Sequence, residues 1–192
     1  MAKKESNFKN MVLTLFMVTF VASAALGYIY EVTKGPIAAS KLAKQNNAIQ
    51  QVVPDFDNAP GEESYKMGVD GDTLEFFPAK RDGEIVGTAV STFTNKGFSG
   101  NIKIMVGFLP DGTINNISVL EHKETPGLGD KMSKSKSDWS VQFNGKNPGD
   151  FKLKVTKDGG DVDAITASTI TSRAFCDAVE RAYNAYMEGG KK

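Results

Sequence analysis

The chain has one cysteine and one histidine among its 192 residues, and that scarcity removes several kinds of chemistry at once. A lone thiol, Cys176, cannot close an internal disulfide. One thiol plus one imidazole, His122, is too small a donor set for a zinc or iron–sulfur site built within the chain. An excess of positive charge is missing too: Lys plus Arg and Asp plus Glu number 23 each. No broad positive field exists to hold phosphates, so nucleic acid is excluded as a partner. No recognisable catalytic triad is present either, and no catalytic residue is assigned. Any redox chemistry must come from a borrowed cofactor. What remains is typical of a folded protein, with 40% apolar and 24% charged residues and a length suited to one domain plus a short appendage.

Charge is also absent locally. No charged residue occurs from Met11 to Tyr30, and at about 1.5 Å per residue this stretch reaches roughly the 30 Å hydrocarbon thickness of a bilayer. Thr14, Thr19 and Ser23 offset only part of the insertion energy of its Val, Leu, Ile and Phe residues. A cleaved signal peptide is the rival reading, because Ala22, Ser23 and Ala24 resemble a small-residue cleavage site. The apolar run continues through Leu26 and Ile29, beyond the usual signal core of about 7 to 15 residues, so a retained anchor is expected. Lys3, Lys4 and Lys9 precede the span and should stay in the cytoplasm, which places residues 31–192 outside a cytoplasmic (inner) membrane as a single-pass, lipid-embedded protein. No lipobox cysteine follows the span to be acylated, which excludes a lipoprotein.

Beyond the span, Pro36 can occupy a first helical turn, and Ile37, Leu42, Ile49 and Val52 recur near helical spacing until Pro54, as in a stalk helix. Asn58 to Glu63 reads as a loop. Glu84–Phe93, Asn101–Phe108 and Thr113–Leu120 are strand-like, with Pro110, Asp111 and Gly112 supplying a hairpin turn, and a further strand is expected over Phe151–Thr156. The mixture of Ile114, Ile117 and Val119 with Asn115, Asn116 and Ser118 suits a partly solvated sheet. A final helix carries Phe175, Val179, Ala182, Tyr183 and Tyr186 on one face. Thr171 or Ser172 can cap its start, and Gly189 and Gly190 its end. Cys176, Trp139 and Phe143 are core candidates. The fold class is α+β: a single N-terminal transmembrane helix, then an extracytoplasmic domain with an antiparallel sheet and packed helices. The division is 1–10 as cytoplasmic N-terminus, 11–30 as transmembrane helix, 31–57 as stalk helix and linker, and 58–192 as the main domain.

Immediately before the last helix stand Asp163, Ala164, Ile165, Thr166, Ala167, Ser168, Thr169, Ile170, Thr171 and Ser172. Hydroxyls crowd this segment. A helix N-terminus offers unpaired N–H groups and about half a positive charge, which stabilises a phosphate. Capping alone also explains Ser and Thr at a helix start. A second segment, Glu124, Thr125, Pro126, Gly127, Leu128 and Gly129, forms a tight loop whose N–H groups can reach a ligand's carbonyl edge while Leu128 covers its ring. An ordinary loop accounts for the glycines as well. His122 beside it is a surface or structural residue first.

Together these segments resemble the FMN-binding domain shared by the G subunit of the Rnf ion-translocating electron-transport complex and the C subunit of the sodium-pumping NADH:quinone oxidoreductase. In that family a flavin transferase attaches FMN to the threonine that ends an Asp-x-x-Ser/Thr-Gly-Ala-Thr motif. Asp163, Thr166 and Thr169 match its distinctive positions, while Ala167 and Ser168 replace the usual glycine and alanine. Gly97, Phe98, Ser99 and Gly100 and the anchor extend the likeness, and the length favours the Rnf G subunit. The resemblance implies covalent FMN on Thr169, with Asp163, Thr166, Ser168, Ile170, Thr171, Glu124, Thr125, Gly127 and Leu128 around the cofactor. It implies electron transfer within a ferredoxin:NAD+ oxidoreductase, with the complex's other membrane and flavin or iron–sulfur subunits as partners and the transferase as a maturation partner. No step requires a general acid or base here. The alternatives are the equivalent quinone-reductase subunit and a non-redox membrane-anchored binding domain. A threonine hydrolase ranks last, because nothing supplies the adjacent base.

Overall fold

The computed structural model describes residues 7–69 and 71–189; Lys3, Lys4 and Gly190 lie outside them. The chain divides into two compact units, Met1–Ala43 and Lys44–Lys192. One helix, α1 (Phe8–Val52), supplies the first unit and the opening turns of the second. It is long and apolar enough to cross a membrane. Its apolar side chains, among them Phe16, Val21 and Leu26, have no protein cover, as a lipid-facing helix requires. Thr14, Thr19 and Thr33 donate their hydroxyls back to the carbonyls of Asn10, Leu15 and Ile29 at 2.7, 2.9 and 2.8 Å. That pairing would lower the cost of placing Thr14 and Thr19, which lie within the apolar stretch, in hydrocarbon.

The expectation that Pro36 opens a separate stalk helix is corrected: α1 runs straight through it. An interior proline costs about 3 kcal/mol. Turns already formed on both sides propagate the helix past it without a new nucleation cost.

The second unit is built on an antiparallel meander of β1 (Tyr65–Val69), β2 (Asp72–Arg81), β3 (Glu84–Gly97), β4 (Gly100–Phe108) and β5 (Ile114–His122), in that spatial order. The hairpin between β4 and β5 falls where Asp111 and Gly112 foretell it. β2 escapes a reading by alternation because the middle of the sheet is covered on both faces, whereas β1 is an edge strand of 5 residues that alternate between half-buried and exposed. Leu74, Phe76, Val90, Ile104 and Val106 face one core with α2 (Thr169–Gly189). Phe77, Ala79, Ala89 and Met105 face a second core with Ile49 and Val52 of α1. Pro78 also sits inside β2, which discourages a strand assignment. The partly solvated character expected of the sheet applies to its edge strand β5, where Asn116, Ser118 and Val119 are half-buried.

α1 ends close against the sheet. The side-chain amides of Asn115 and Asn116 donate to the carbonyls of Val52 and Gln51, both at 2.8 Å, and so cap orphaned groups of its last turn. The expected strand over Phe151–Thr156 does not form. Those residues are irregular apart from an isolated bridge between Val155 and Val162, and a 3-10 turn follows at Thr156–Asp158. The Asp161 carboxylate takes the Lys152 N–H at 2.7 Å, diverting a group that a ladder would need. Phe143 and Phe175 are fully buried, and Trp139 meets both rings edge-on at 5.5 and 5.1 Å. Cys176 is buried.

Candidate functional site

α2 begins three or four residues earlier than a Thr171 or Ser172 cap implies. Thr169 is its first residue, and the Ser168 carbonyl accepts the Ser172 N–H at 3.1 Å. The reason is a preceding turn. The Ser168 N–H donates to the Ile165 carbonyl at 2.9 Å, which makes Thr166 and Ala167 the central pair. Ala167 has φ of +60°, the conformation that a type II turn demands at its third position and that glycine adopts without strain. Ser172 holds this turn from within the helix: its Oγ accepts the Ile165 N–H at 2.9 Å and donates to the Ser168 carbonyl at 3.0 Å.

The hydroxyls of the segment are therefore not equivalent. Ser168 donates to Thr171 Oγ1 at 2.8 Å, Thr171 donates to Glu124 Oε2 at 2.6 Å, and Ser172 is engaged as described. The hydroxyls of Thr166 and Thr169 make no hydrogen bond among the described residues, and of those two side chains only Thr169 lines a hollow. The first-turn N–H groups of Thr169, Ile170 and Thr171 have no acceptor among the described residues either, which leaves the positive end of α2 open beside that hydroxyl.

Glu124 ties the neighbourhood together. It is buried, and its Oε1 accepts the Ser99 N–H at 2.9 Å while its Oε2 takes the Thr171 hydroxyl. A carboxylate with two such donors joins the β3–β4 hairpin, the loop after β5 and the first turn of α2 in charge-assisted bonds. Two glycines make room for it: a Cβ at Gly97 would lie 2.8 Å from Oε1, and one at Gly129 would lie 2.6 Å from Oε2. The loop itself turns at Thr125–Leu128, where the Leu128 N–H donates to the Thr125 carbonyl at 3.1 Å. Pro126 and Gly127, at φ of +79°, occupy its centre, again as in a type II turn.

Between these two turns lies a hollow of about 310 Å³, lined by Phe98, Glu124, Thr125, Leu128, Gly129, Ala167, Ser168, Thr169 and Ile170. Six of the candidate residues thus come together from segments some forty residues apart. Four do not line it. Thr171 lies beneath it through its bond to Glu124. Gly127 is at the exposed tip of its turn. Thr166 is exposed, and Asp163 is exposed with its backbone held by Gln142, whose Oε1 accepts the Asp163 N–H at 2.8 Å. Phe98, Gly129 and Ala167 join the lining from outside the candidate set; Phe98 and Gly129 belong to the two glycine-bearing segments that carry the family likeness, which is the signal that could find them.

A larger hollow of about 870 Å³ runs along β5 and contains His122, with Lys44, Gln51 and Ser133–Ser135 on its other walls. His122 is kept there by its own loop, its Nδ1 accepting the Glu124 N–H at 3.2 Å. It does not line the smaller hollow. Cys176, two turns along α2, is no rival nucleophile: burial, with Glu180 nearby, pushes its thiol up to about 12.

Comparison with known proteins bears on the same residues. The FMN-binding domain family matches residues 97–184, a stretch that includes every residue lining the smaller hollow. The chain is 38% identical over 178 residues to the G subunit of the ion-translocating oxidoreductase complex of Erwinia tasmaniensis, covering 88% of this chain and 85% of that one. The G subunit of the same complex from Shewanella piezotolerans is 33% identical, with 98% and 93% covered. The G subunit of the Na(+)-translocating ferredoxin:NAD(+) oxidoreductase complex of Acetobacterium woodii is 33% identical, with 93% and 91% covered.

Proposed function

The chain belongs to the family of G subunits of ion-translocating oxidoreductase complexes, and from that premise we propose that it is a membrane-anchored electron-transfer subunit carrying FMN as a phosphoester on Thr169. The observation that carries this reading is the state of one hydroxyl. Among the described residues, Thr169 alone combines an unengaged side-chain oxygen, a place on the wall of the smaller hollow and the open N-terminus of α2.

The residues present suit the cofactor. The free N–H groups of Thr169, Ile170 and Thr171 favour a phosphate at that oxygen. Phe98, Leu128 and Ile170 supply apolar cover for a planar ring, and the turn at Thr125–Leu128 supplies polar backbone. Glu124 holds the two walls at a fixed separation through Ser99 and Thr171. When bound, the flavin supplies the electron-carrying chemistry, and the chain supplies position, burial and hydrogen bonding. Ester formation would replace the Thr169 O–H bond with an O–P bond, a flavin transferase supplying the flavin phosphate as a flavin dinucleotide whose P–O–P bridge breaks, so that a nucleoside monophosphate departs with the proton. The mature subunit keeps Lys9 on the cytoplasmic side and residues 58–192 outside the membrane. Its partners are the other subunits of a ferredoxin:NAD+ oxidoreductase complex, as the name of the Acetobacterium relative suggests.

Coexpression with a flavin transferase, followed by denaturing electrophoresis and intact mass measurement, tests the assignment. The wild-type chain should run as a fluorescent band carrying one flavin nucleotide. Thr169→Ala should lose the band entirely while keeping its fold, and Thr166→Ala should retain it. A colourless wild-type chain, or a labelled Thr169→Ala variant, defeats the reading.

A further inference from the structure

The segment from Asp163 to Ser172 sorts its polar side chains into two sets. Ser168 is tied to Thr171, Thr171 to Glu124, and Ser172 to the turn before the helix. Asp163, Thr166 and Thr169 have no side-chain hydrogen bond or ion pair among the described residues. These three are the positions that match the family's motif. Only Asp163 among them is charged, and it stands exposed, outside the lining of the smaller hollow.

The backbone of Asp163 is held as firmly as its side chain is free. The side-chain amide of Gln142 grips the residue at two points: Oε1 accepts the Asp163 N–H at 2.8 Å, and Nε2 donates to the Asp163 carbonyl at 3.3 Å. Trp139 Nε1 donates to the same carbonyl at 2.5 Å. Both side chains come from the 3-10 turn Trp139–Phe143, and both are themselves fixed. Gln142 Nε2 also donates to the Trp139 carbonyl at 3.0 Å, and the indole packs edge-on against Phe143 and Phe175. Two residues further on, the Ile165 N–H is held by Ser172. The start of the motif and the turn before Thr169 are thus fastened to separate supports, which limits the spacing between the Asp163 carboxylate and the Thr169 hydroxyl while leaving both groups open. A carboxylate is no partner for a phosphate, since like charges repel; its complement is a cation.

Given that Thr169 receives FMN, the reading on which this rests, we propose that Gln142, supported by Trp139, is a positioning residue for flavin attachment: it holds Asp163 so that the carboxylate meets a positively charged group of the flavin transferase while Thr169 enters the reaction. A carboxylate on a backbone already fixed loses little freedom when the enzyme binds, and opposite charge speeds the encounter. Asp163 then serves maturation and makes no contact with the cofactor in the finished subunit.

The test follows covalent labelling of the full-length chain in detergent by a purified flavin transferase with a flavin dinucleotide, with initial rates read from the fluorescent band over a range of chain concentrations. Asp163→Asn should raise KM for the chain by about tenfold at low salt and leave kcat nearly unchanged, and about 0.5 M salt should remove most of that difference. Gln142→Leu, which keeps side-chain bulk and loses both bonds to Asp163, should raise KM by about threefold. In the double variant it should add nothing to Asp163→Asn, because it acts through that carboxylate. Urea unfolding of each variant separates presentation from stability: a merely structural Gln142 would lower the labelled fraction in step with stability and would multiply with Asp163→Asn. An unchanged KM in either single variant, a Gln142→Leu effect that persists in the double variant, or an Asp163→Asn effect indifferent to salt overturns the positioning role. A wild-type chain that takes no label removes instead the assignment of Thr169 beneath it.

Discussion

Two turns of the same kind wall the smaller hollow, and they reach their shape by different routes. Thr125–Leu128 has Pro126 and Gly127 at its centre, the residues that favour this geometry in isolation. Ile165–Ser168 has Thr166 and Ala167 there, and Ala167 takes a positive φ that L-residues resist. The first turn is preformed by its own side chains. The second is imposed from outside, by Ser172 bonding to both of its ends. The residue proposed to carry the flavin follows the imposed turn, so the position of Thr169 depends on contacts from outside its own turn more than the position of Leu128 does.

The heaviest blow to this arrangement is a change that strikes the link between the turns. In Gly129→Ala the new Cβ would stand 2.6 Å from Glu124 Oε2 and 2.8 Å from both Glu124 Cβ and Thr171 Oγ1. These atoms cannot simply swing away, because both carboxylate oxygens are committed. A loss of about 3 kcal/mol or more is expected, from overpacking combined with a buried hydrogen bond broken. Urea unfolding measures it, and the flavin label should fall in parallel. Next in size is Ser172→Ala, which removes the support of the second turn alone. The Ile165 N–H is left buried without an acceptor, at a cost of about 1 to 3 kcal/mol. Label yield should drop while the Thr125–Leu128 turn keeps its amide exchange protection. Equal loss of protection in both turns would mean that they form one cooperative unit and that the distinction between them is false.

The same contrast separates what is legible in the amino-acid sequence from what is not. Thr125 to Gly129 can be read there because its turn is written in local residues, and Thr169 is proposed as the ester site there because Asp163 and Thr166 precede it in the motif that carries the resemblance. The final helix is legible from its apolar face, but its first residue is not: hydroxyls favour Thr171 or Ser172 as caps, whereas Thr171 bonds to Glu124 and Ser172 to the preceding turn. β2 escapes because a strand buried on both faces loses alternation, and β1 because it is a short edge strand of only 5 residues. Phe151–Thr156 misleads because β-favouring residues there lose backbone donors to Asp161. The bond between Thr171 and Glu124 joins residues 47 apart in the chain, and no local pattern announces it.

The finest probe exchanges the residues at equivalent positions of the two turns. Gly127→Ala places a Cβ at φ of +79°, where nothing crowds it within 4 Å, so its penalty is conformational alone, about 1 kcal/mol of destabilisation. Ala167→Gly should act the other way. Releasing the left-handed strain is worth about 1 to 2 kcal/mol, and the added freedom of the unfolded chain takes back about 0.4 to 1 kcal/mol. The net is a gain of about 0.5 kcal/mol, readable as a rise of about 1 to 2 °C in Tm. If Ala167 is tolerated only because Ser172 compels it, the gain should grow in the Ser172→Ala background, since an unsupported turn has more need of glycine. Strict additivity of the two changes would show instead that the turn holds its shape without help, and would place Ala167 and Gly127 on an equal footing.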